Sequence, residues 1–87
     1  MAIIRKKSWP KIFQAVKSGK KRFEVRLADF RVKRGDTLIL AEWDPKRARF
    51  TGREIKKKVS FVYTFRLDAF GQKKAIEKKG LHIIQLQ

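Results

Sequence analysis

The sequence contains no cysteine and a single histidine. Without cysteine, the chain cannot form a disulfide, use a thiolate nucleophile or bind zinc through sulfur. One histidine is also too few for a transition-metal centre built from nitrogen and sulfur ligands. We therefore predict no metal site and no cofactor.

Acidic residues are scarce relative to basic ones. Asp and Glu total 8 against 24 Lys and Arg, which gives a formal net charge of +16. This imbalance exceeds what solubility needs and indicates a polyanionic partner, with nucleic acid as the first candidate. A membrane surface is a weaker alternative, because the cations are spread over predicted strands and turns rather than along one amphipathic helix.

Long apolar runs are also lacking. The opening stretch MAIIRKKSWP reaches charged residues directly after Ile4. That run is too short for the apolar region of a signal peptide or for a membrane span. We predict a cytoplasmic protein without a membrane partner.

Glycine and proline are few, at 5 and 2 residues, while 43% of the 87 residues are apolar. This composition is typical of a folded chain rather than a disordered one. A chain of this length buries only about 60–65% of its unfolded surface and cannot support a second core. We therefore predict one domain over residues 1–87, and we expect it to be a monomer.

Helix signals are clearest near the N-terminus. The spacing predicts a helix from about Pro10 to Ser18, with Ser8 as its N-cap and Gly19 as its stop. Its apolar stripe, which we expect to pack across a sheet, consists of Ile12, Phe13 and Val16. A second short helix is predicted within residues 72–79, closed by Gly80.

Alternating apolar and polar residues predict the strands. They are expected at residues 2–6, 22–27, 37–44, 53–65 and 81–87. The strand at 37–44 is apolar on both faces until Glu42 and is therefore expected to be central. Closing so small a sheet would remove its exposed edges. We predict an α+β fold, mainly β, that forms a five-stranded mixed β-barrel with one or two helices.

The segment after the first helix carries a charged motif. It reads Gly-x-Lys-x-x-Glu-x-Arg, with Gly19, Lys21, Glu24 and Arg26 at the fixed positions. The motif follows the predicted helix and opens a predicted strand. In this it resembles the hallmark of the ASCH (activating signal cointegrator homology) domain, whose fold is similar to that of the PUA domain.

Other features resemble a small, uncharacterised branch of this PUA-like superfamily that is described as RNA-binding. They are Trp9 with Pro10, Gly35 with Asp36, Glu42 with Asp44 and Pro45, and Thr51 with Gly52 and Arg53. That branch usually has a histidine in its first strand, where this chain has Ile3 and Ile4. A role for a first-strand histidine therefore does not carry over.

The resemblance implies a cleft between helix and barrel, lined by Lys21, Glu24 and Arg26, that takes a nucleotide or a short RNA. Arginine offers a planar fork, lysine a mobile charge and glutamate an acceptor for amino groups of bases. Further candidate RNA contacts are Trp43 as a stacking platform, Arg53, and the turn residues Lys46 and Arg49 as phosphate contacts. On spacing alone, surface ion pairs and a rim aromatic explain the same residues.

Three classes of function are left. The first is an RNA-binding module for single-stranded or looped RNA, with ribosomal RNA among the candidates. The second is a nucleoside amidohydrolase or ribonuclease, because some ASCH proteins look like hydrolases that use a Lys, a Glu and a Thr three residues after the Lys. Here Glu24 takes that position and no hydroxyl residue lies between Gly19 and Asp36, so we predict no catalytic residue. The third is a structural, ribosome-associated factor.

Overall fold

The computed structural model describes residues 1–87 and has an α+β fold, as predicted. Its elements in chain order are β1 (Ile3–Ser8), α1 (Pro10–Lys17), β2 (Thr37–Asp44), β3 (Arg49–Lys58), a 3₁₀ helix (Leu67–Phe70) and α2 (Lys73–Lys79). Neither α-helix is long and apolar enough to cross a membrane.

The sheet has three strands in the order β1-β2-β3. β1 runs parallel to β2, and β3 runs antiparallel to it. The β1–β2 register begins with Ile3 opposite Thr37 and ends with Ser8 opposite Glu42. The central place of β2 is as predicted, since a strand that is apolar on both faces is stable only when it is covered.

The core lies between α1 and β2. Phe13 and Val16 are buried against Leu40, with Leu38 and Ile55 packed around them. The prediction that Ile12 also packs on the sheet is wrong, because Ile12 is 44% exposed. Phe13 and Val16 are the residues of this eight-residue helix that face the sheet, so Ile12 lies at the edge of the buried helix face.

The start of α1 differs from the sequence-based prediction. Ser8 is the last residue of β1, and the N-cap is Trp9, whose backbone is extended at φ −73° and ψ 153°. Pro10 then occupies the first helical position, where its missing N–H costs nothing and its fixed φ suits the helix. Gly19 follows the helix at φ +83°, as expected for a stop.

Three segments predicted as strands lie outside the sheet. Residues 22–27, 60–65 and 81–87 make no backbone–backbone hydrogen bond. In β1, the Lys7 carbonyl accepts a hydrogen bond from the Arg26 side chain and not from a backbone N–H of residues 22–27. The observed sheet is therefore open.

A buried carboxylate aligns the start of the sheet. Asp36 is 2% exposed and accepts hydrogen bonds from the backbone N–H groups of Ala2 and Lys33, both at 2.9 Å. The Thr37 N–H donates to the Ala2 carbonyl at 2.9 Å, so the same residues start the β1–β2 ladder. The Ala2 and Lys33 hydrogen bonds hold the pKa of Asp36 below its ordinary value, although burial pushes the pKa upward.

This pKa shift predicts an acid-dependent loss of stability. The folded-state pKa of Asp36 is below the unfolded value of about 3.9. The stabilisation is thus fully present above that unfolded value and is lost as the pH falls through the folded pKa. Asp36→Asn should lower the thermal midpoint at pH 7 and flatten its dependence on pH between about 5 and 2. Asp29→Asn, at an exposed position, is the matched control. Equal pH profiles for wild type and Asp36→Asn would contradict this account.

Candidate functional site

The three charged residues of the hallmark motif form one cluster, which we call the Glu24 cluster. Lys21 Nζ lies 3.0 Å from Glu24 Oε1, and both Nε and Nη2 of Arg26 lie 2.9 Å from Glu24 Oε2. The side chains of Lys21 and Glu24 are 19% and 18% exposed, and that of Arg26 is 29% exposed. The arrangement follows from the end of α1, where the Lys21 N–H donates to the Ala15 carbonyl at 3.0 Å.

Glu24 acts here as the counter-charge of two cations. Both of its carboxylate oxygens are engaged, so Glu24 offers little acceptor capacity to a ligand. Lys21 Nζ also donates to the Phe23 carbonyl at 2.8 Å, which leaves one of its three protons unpaired. Arg26 Nη1 makes no hydrogen bond or ion pair. The cluster thus presents donors rather than acceptors.

Arg26 ties this cluster to the end of β1. Its Nη2 atom donates to the Lys7 carbonyl at 2.7 Å. Lys7 directly precedes Ser8, the last residue of the strand. The Glu24 cluster therefore lies at the carboxyl end of the parallel β1–β2 pair.

A second cluster, the Glu42 cluster, lies at the same end of the sheet and consists of Ser8, Gln14, Glu42, Thr51 and Arg53. Thr51 donates its hydroxyl to Glu42 Oε1 at 2.7 Å, and Arg53 Nη1 lies 3.6 Å from the same oxygen. Arg53 Nη2 also donates to Gln14 Oε1 at 3.4 Å. The Glu42 side chain is only 7% exposed, so the strand ends and α1 enclose it.

Ser8 has an unusual environment within this cluster. It is 2% exposed, and its hydroxyl oxygen is buried without a hydrogen-bond partner. Ser8 stands opposite Glu42 in the parallel register, so the two side chains project from the same face of the sheet. Most buried hydroxyls in folded proteins are paired, which makes this one informative.

Trp43 lies on the other face of the sheet. Its ring is contacted by Lys7 Nζ at 3.8 Å from the ring centroid and by Phe50 in an edge-on arrangement at 4.9 Å. Lys7 and Ser8 are consecutive strand residues and so project from opposite faces. The structure therefore does not bring Trp43 together with Arg53.

The hairpin between β2 and β3 carries the predicted turn contacts. Asp44 Oδ1 accepts hydrogen bonds from the backbone N–H groups of Lys46 at 2.9 Å and Arg47 at 3.3 Å, which fixes the turn. Beside it is a cavity of about 250 Å³, which is lined by Asp44, Arg47, Arg49, Phe50 and Thr51. Arg49 therefore lines a concave surface, while the Lys46 side chain makes no ion pair or hydrogen bond.

Sequence reasoning did not identify Ser8 and Arg47 as site residues. The sequence pattern predicts Ser8 as the helix N-cap instead, because Ser before a Pro-containing start is a common capping pattern. No local pattern in the sequence places Ser8, because its environment depends on the pairing of β1 with β2. No group of three or more His, Asp or Glu side chains is placed to hold a metal ion.

Comparison with known proteins assigns the family. The description "Domain of unknown function (DUF3850)" matches residues 5–75, and the chain belongs to this family. It is also similar to the uncharacterised 12.9 kDa protein in the GpA 3′ region of Escherichia phage P2, with 46% identity over 52 residues. That match covers 60% of this chain and 46% of the phage protein, so the chain spans about half the length of this relative. No solved structure shows significant similarity to the chain.

Proposed function

We propose that this protein is a cytoplasmic RNA-binding module that acts as a monomer on single-stranded or looped RNA, with ribosomal RNA among the candidate targets. Its basic surface supplies most of the affinity, and the Glu24 cluster supplies a defined contact. The formal charge of +16 supports the first part, because phosphate neutralisation drives nucleic-acid binding.

The observation that carries the proposal is the geometry of the Glu24 cluster. Glu24 holds Lys21 and Arg26 at 3.0 and 2.9 Å, and it leaves Arg26 Nη1 and one Lys21 proton without partners. A counter-charge that orients two cations while their outer donors stay open is suited to a phosphate oxygen.

Two further features fit an RNA ligand. The hairpin cavity has Arg47 and Arg49 on its wall, which suits a second phosphate. Phe50, which also lines this cavity, is 45% exposed beside Trp43, and exposed aromatic rings next to cations can stack on unpaired bases.

We also propose that the chain completes a PUA-like, five-stranded barrel of the ASCH type. Gln85 supports this proposal, since its side chain accepts from the Arg22 N–H at 2.6 Å and donates to the Lys20 carbonyl at 3.2 Å. The C-terminal segment thus runs beside residues 20–22. The alternation of residues 22–27 and 81–87 is that of paired strands, and pairing would cover side chains such as Leu86, which is 84% exposed.

The barrel proposal predicts slow amide exchange in these segments. The backbone N–H groups of residues 22–27 and 82–86 should be protected against hydrogen–deuterium exchange, because strand pairing shields them from water. Residues 38–43 of β2 provide the protected reference, and the turn at 45–48 provides the fast one. Exchange in both segments as fast as in the turn would contradict closure.

The hydrolase alternative leads to a negative prediction. The carboxylate at position 24 is tied to two cations, and no serine or threonine lies between Gly19 and Asp36. We expect no release of acetate from acetylcytidine above the buffer rate, measured by chromatography with micromolar protein. Turnover that Glu24→Gln abolishes would place the protein among the enzymes instead.

RNA binding is tested by fluorescence anisotropy with labelled oligonucleotides across a salt series. If about four to six phosphates are neutralised, log affinity for a single strand should fall against log salt with a slope of roughly −3 to −4. Single-stranded RNA should bind more tightly than duplex DNA. A salt-insensitive affinity would contradict the proposal.

The contribution of the Glu24 cluster is tested by two variants that lose the same charge. Arg26→Ala should cost about 1–3 kcal/mol of binding free energy. The Arg22 side chain makes no hydrogen bond or ion pair, so Arg22→Ala should lose only the binding free energy that any surface cation contributes. The same holds for Lys46→Ala and Arg49→Ala. Each of these three variants should reduce the salt slope by about one unit or less. If Arg26→Ala and Arg22→Ala bind every RNA equally, the basic surface acts without the cluster.

A further inference from the structure

The face of the sheet opposite α1 carries an aromatic pair. Trp43 and Phe50 are cross-strand partners, and their ring centroids lie 4.9 Å apart at an interplanar angle of 76°. Aromatic pairs favour this edge-to-face arrangement, so each ring helps to orient the other. Phe50 is 45% exposed, whereas Trp43 is half-buried. Phe50 is therefore an oriented ring that a ligand can reach from solvent.

Cations of β1 lie beside this pair. Lys7 Nζ is 3.8 Å from the centroid of the Trp43 ring and 5.9 Å from that of Phe50. Arg5 Cζ is also 5.9 Å from the Phe50 centroid, and Arg5 forms an ion pair with Glu54. An ammonium group at 3.8 Å lies against the face of the Trp43 ring and occupies it. Phe50 is thus the ring of the pair with more surface left for a ligand.

Phe50 also lines the hairpin cavity, together with Asp44, Arg47, Arg49 and Thr51. The cavity has a volume of about 250 Å³. Sites that enclose a whole drug-sized ligand measure roughly 300–1,000 Å³, so this cavity is sized for part of a nucleotide. An apolar ring beside two guanidinium groups matches the two chemical halves of a nucleotide, which are a flat base and an anionic phosphate.

The hairpin turn holds the wall of this cavity in shape. Asp44 Oδ1 accepts the backbone N–H groups of Lys46 and Arg47, and Asp44 Oδ2 lies 3.8 Å from Arg47 Nε. Ala48 has φ +52°, in the left-handed region that residues other than glycine rarely adopt. Arg49 is exposed, and its side chain makes no hydrogen bond or ion pair. The turn is therefore fixed by Asp44, while the Arg49 guanidinium is open to an anion.

We propose that Phe50 is the stacking platform for one unpaired base of single-stranded RNA, with the adjoining phosphate held by Arg47 and Arg49. Trp43 acts as a positioning residue that orients the Phe50 ring. Every base has a flat face, so the site tolerates any base. In a duplex the neighbouring bases cover both faces, so the site selects single strands. The inference rests on the proposed RNA binding and adds a base contact made by residues outside the Glu24 cluster.

The test compares the affinities of two single-stranded RNAs of equal charge, fluorescein-labelled octauridylate and the same octamer made of 5,6-dihydrouridine. Saturation of the C5–C6 bond makes the ring non-planar and leaves the phosphates and the Watson–Crick edge unchanged. The wild-type protein should bind octauridylate roughly tenfold more tightly, as expected for one stacking contact. Phe50→Leu keeps the apolar bulk and removes the aromatic ring. It should weaken octauridylate binding and leave dihydrouridine binding nearly unchanged, so that the ratio approaches one.

Matched controls separate the site from general effects. Phe50→Tyr retains an aromatic ring and should keep the wild-type ratio. Phe61→Leu makes the same change at a ring that is 79% exposed outside the sheet, and it should also keep the ratio. Arg49→Ala should weaken the binding of both octamers by the same factor, because phosphate contacts do not read the base. The thermal midpoint of Phe50→Leu should stay close to that of wild type, because the side chain is not part of the core.

The outcomes distinguish this inference from the proposed function. If wild type binds both octamers equally with a steep salt dependence, RNA binding stands and the stacking platform is wrong. If Phe50→Leu keeps the wild-type ratio, or Phe61→Leu lowers it as much, the base does not stack on Phe50 and the inference is overturned. If neither octamer binds at low salt, the RNA-binding proposal itself fails, and the inference fails with it.

Discussion

The Asp36 carboxylate fixes the position of β1 relative to β2, and the rest of the structure depends on that register. It holds the Ala2 and Lys33 backbone N–H groups at 2.9 Å, one at the start of β1 and one in the turn before β2. At the far end of the ladder, this register places Ser8 opposite Glu42. A slip by one residue would turn Ser8 to the other face of the sheet, where Lys7 contacts Trp43.

The scarce acidic residues have defined structural tasks. Of the 8 acidic side chains, Glu24 orients Lys21 and Arg26, while Glu42 is held by Thr51 and Arg53. Because the chain has a net charge of +16, cations far outnumber carboxylates, and the position of each carboxylate decides which lysine and arginine side chains it orients. Both clusters lie at the carboxyl end of the β1–β2 pair. Two clusters of oriented ion pairs thus lie at one end of the sheet of a strongly basic chain.

The parts of the fold that local patterns determine could be predicted from the sequence. The strand at 37–44 and the helices α1 and α2 follow from apolar patterning and stop glycines. That Lys21 lies with Glu24 and Arg26 was implied by the family resemblance of the motif, since strand alternation alone puts Lys21 on the opposite face from Glu24. The environment of Ser8 could not be predicted, because it depends on the pairing of β1 with a strand distant in sequence. For the same reason, alternation within residues 22–27 could not show whether that segment has a partner.

The central claim of the proposal is that the Glu24 cluster, at the carboxyl end of the β1–β2 pair, contacts the phosphates of single-stranded RNA. Titration of ¹⁵N-labelled protein with a short single-stranded RNA, followed by amide and arginine Nε–H chemical shifts, tests this most directly. The account predicts that the largest shifts arise at Lys21, Glu24 and the Arg26 side chain, and that they saturate together. Shifts confined to the lysines of residues 56–58 and 73–79, with Lys21 and Arg26 unchanged, would contradict it.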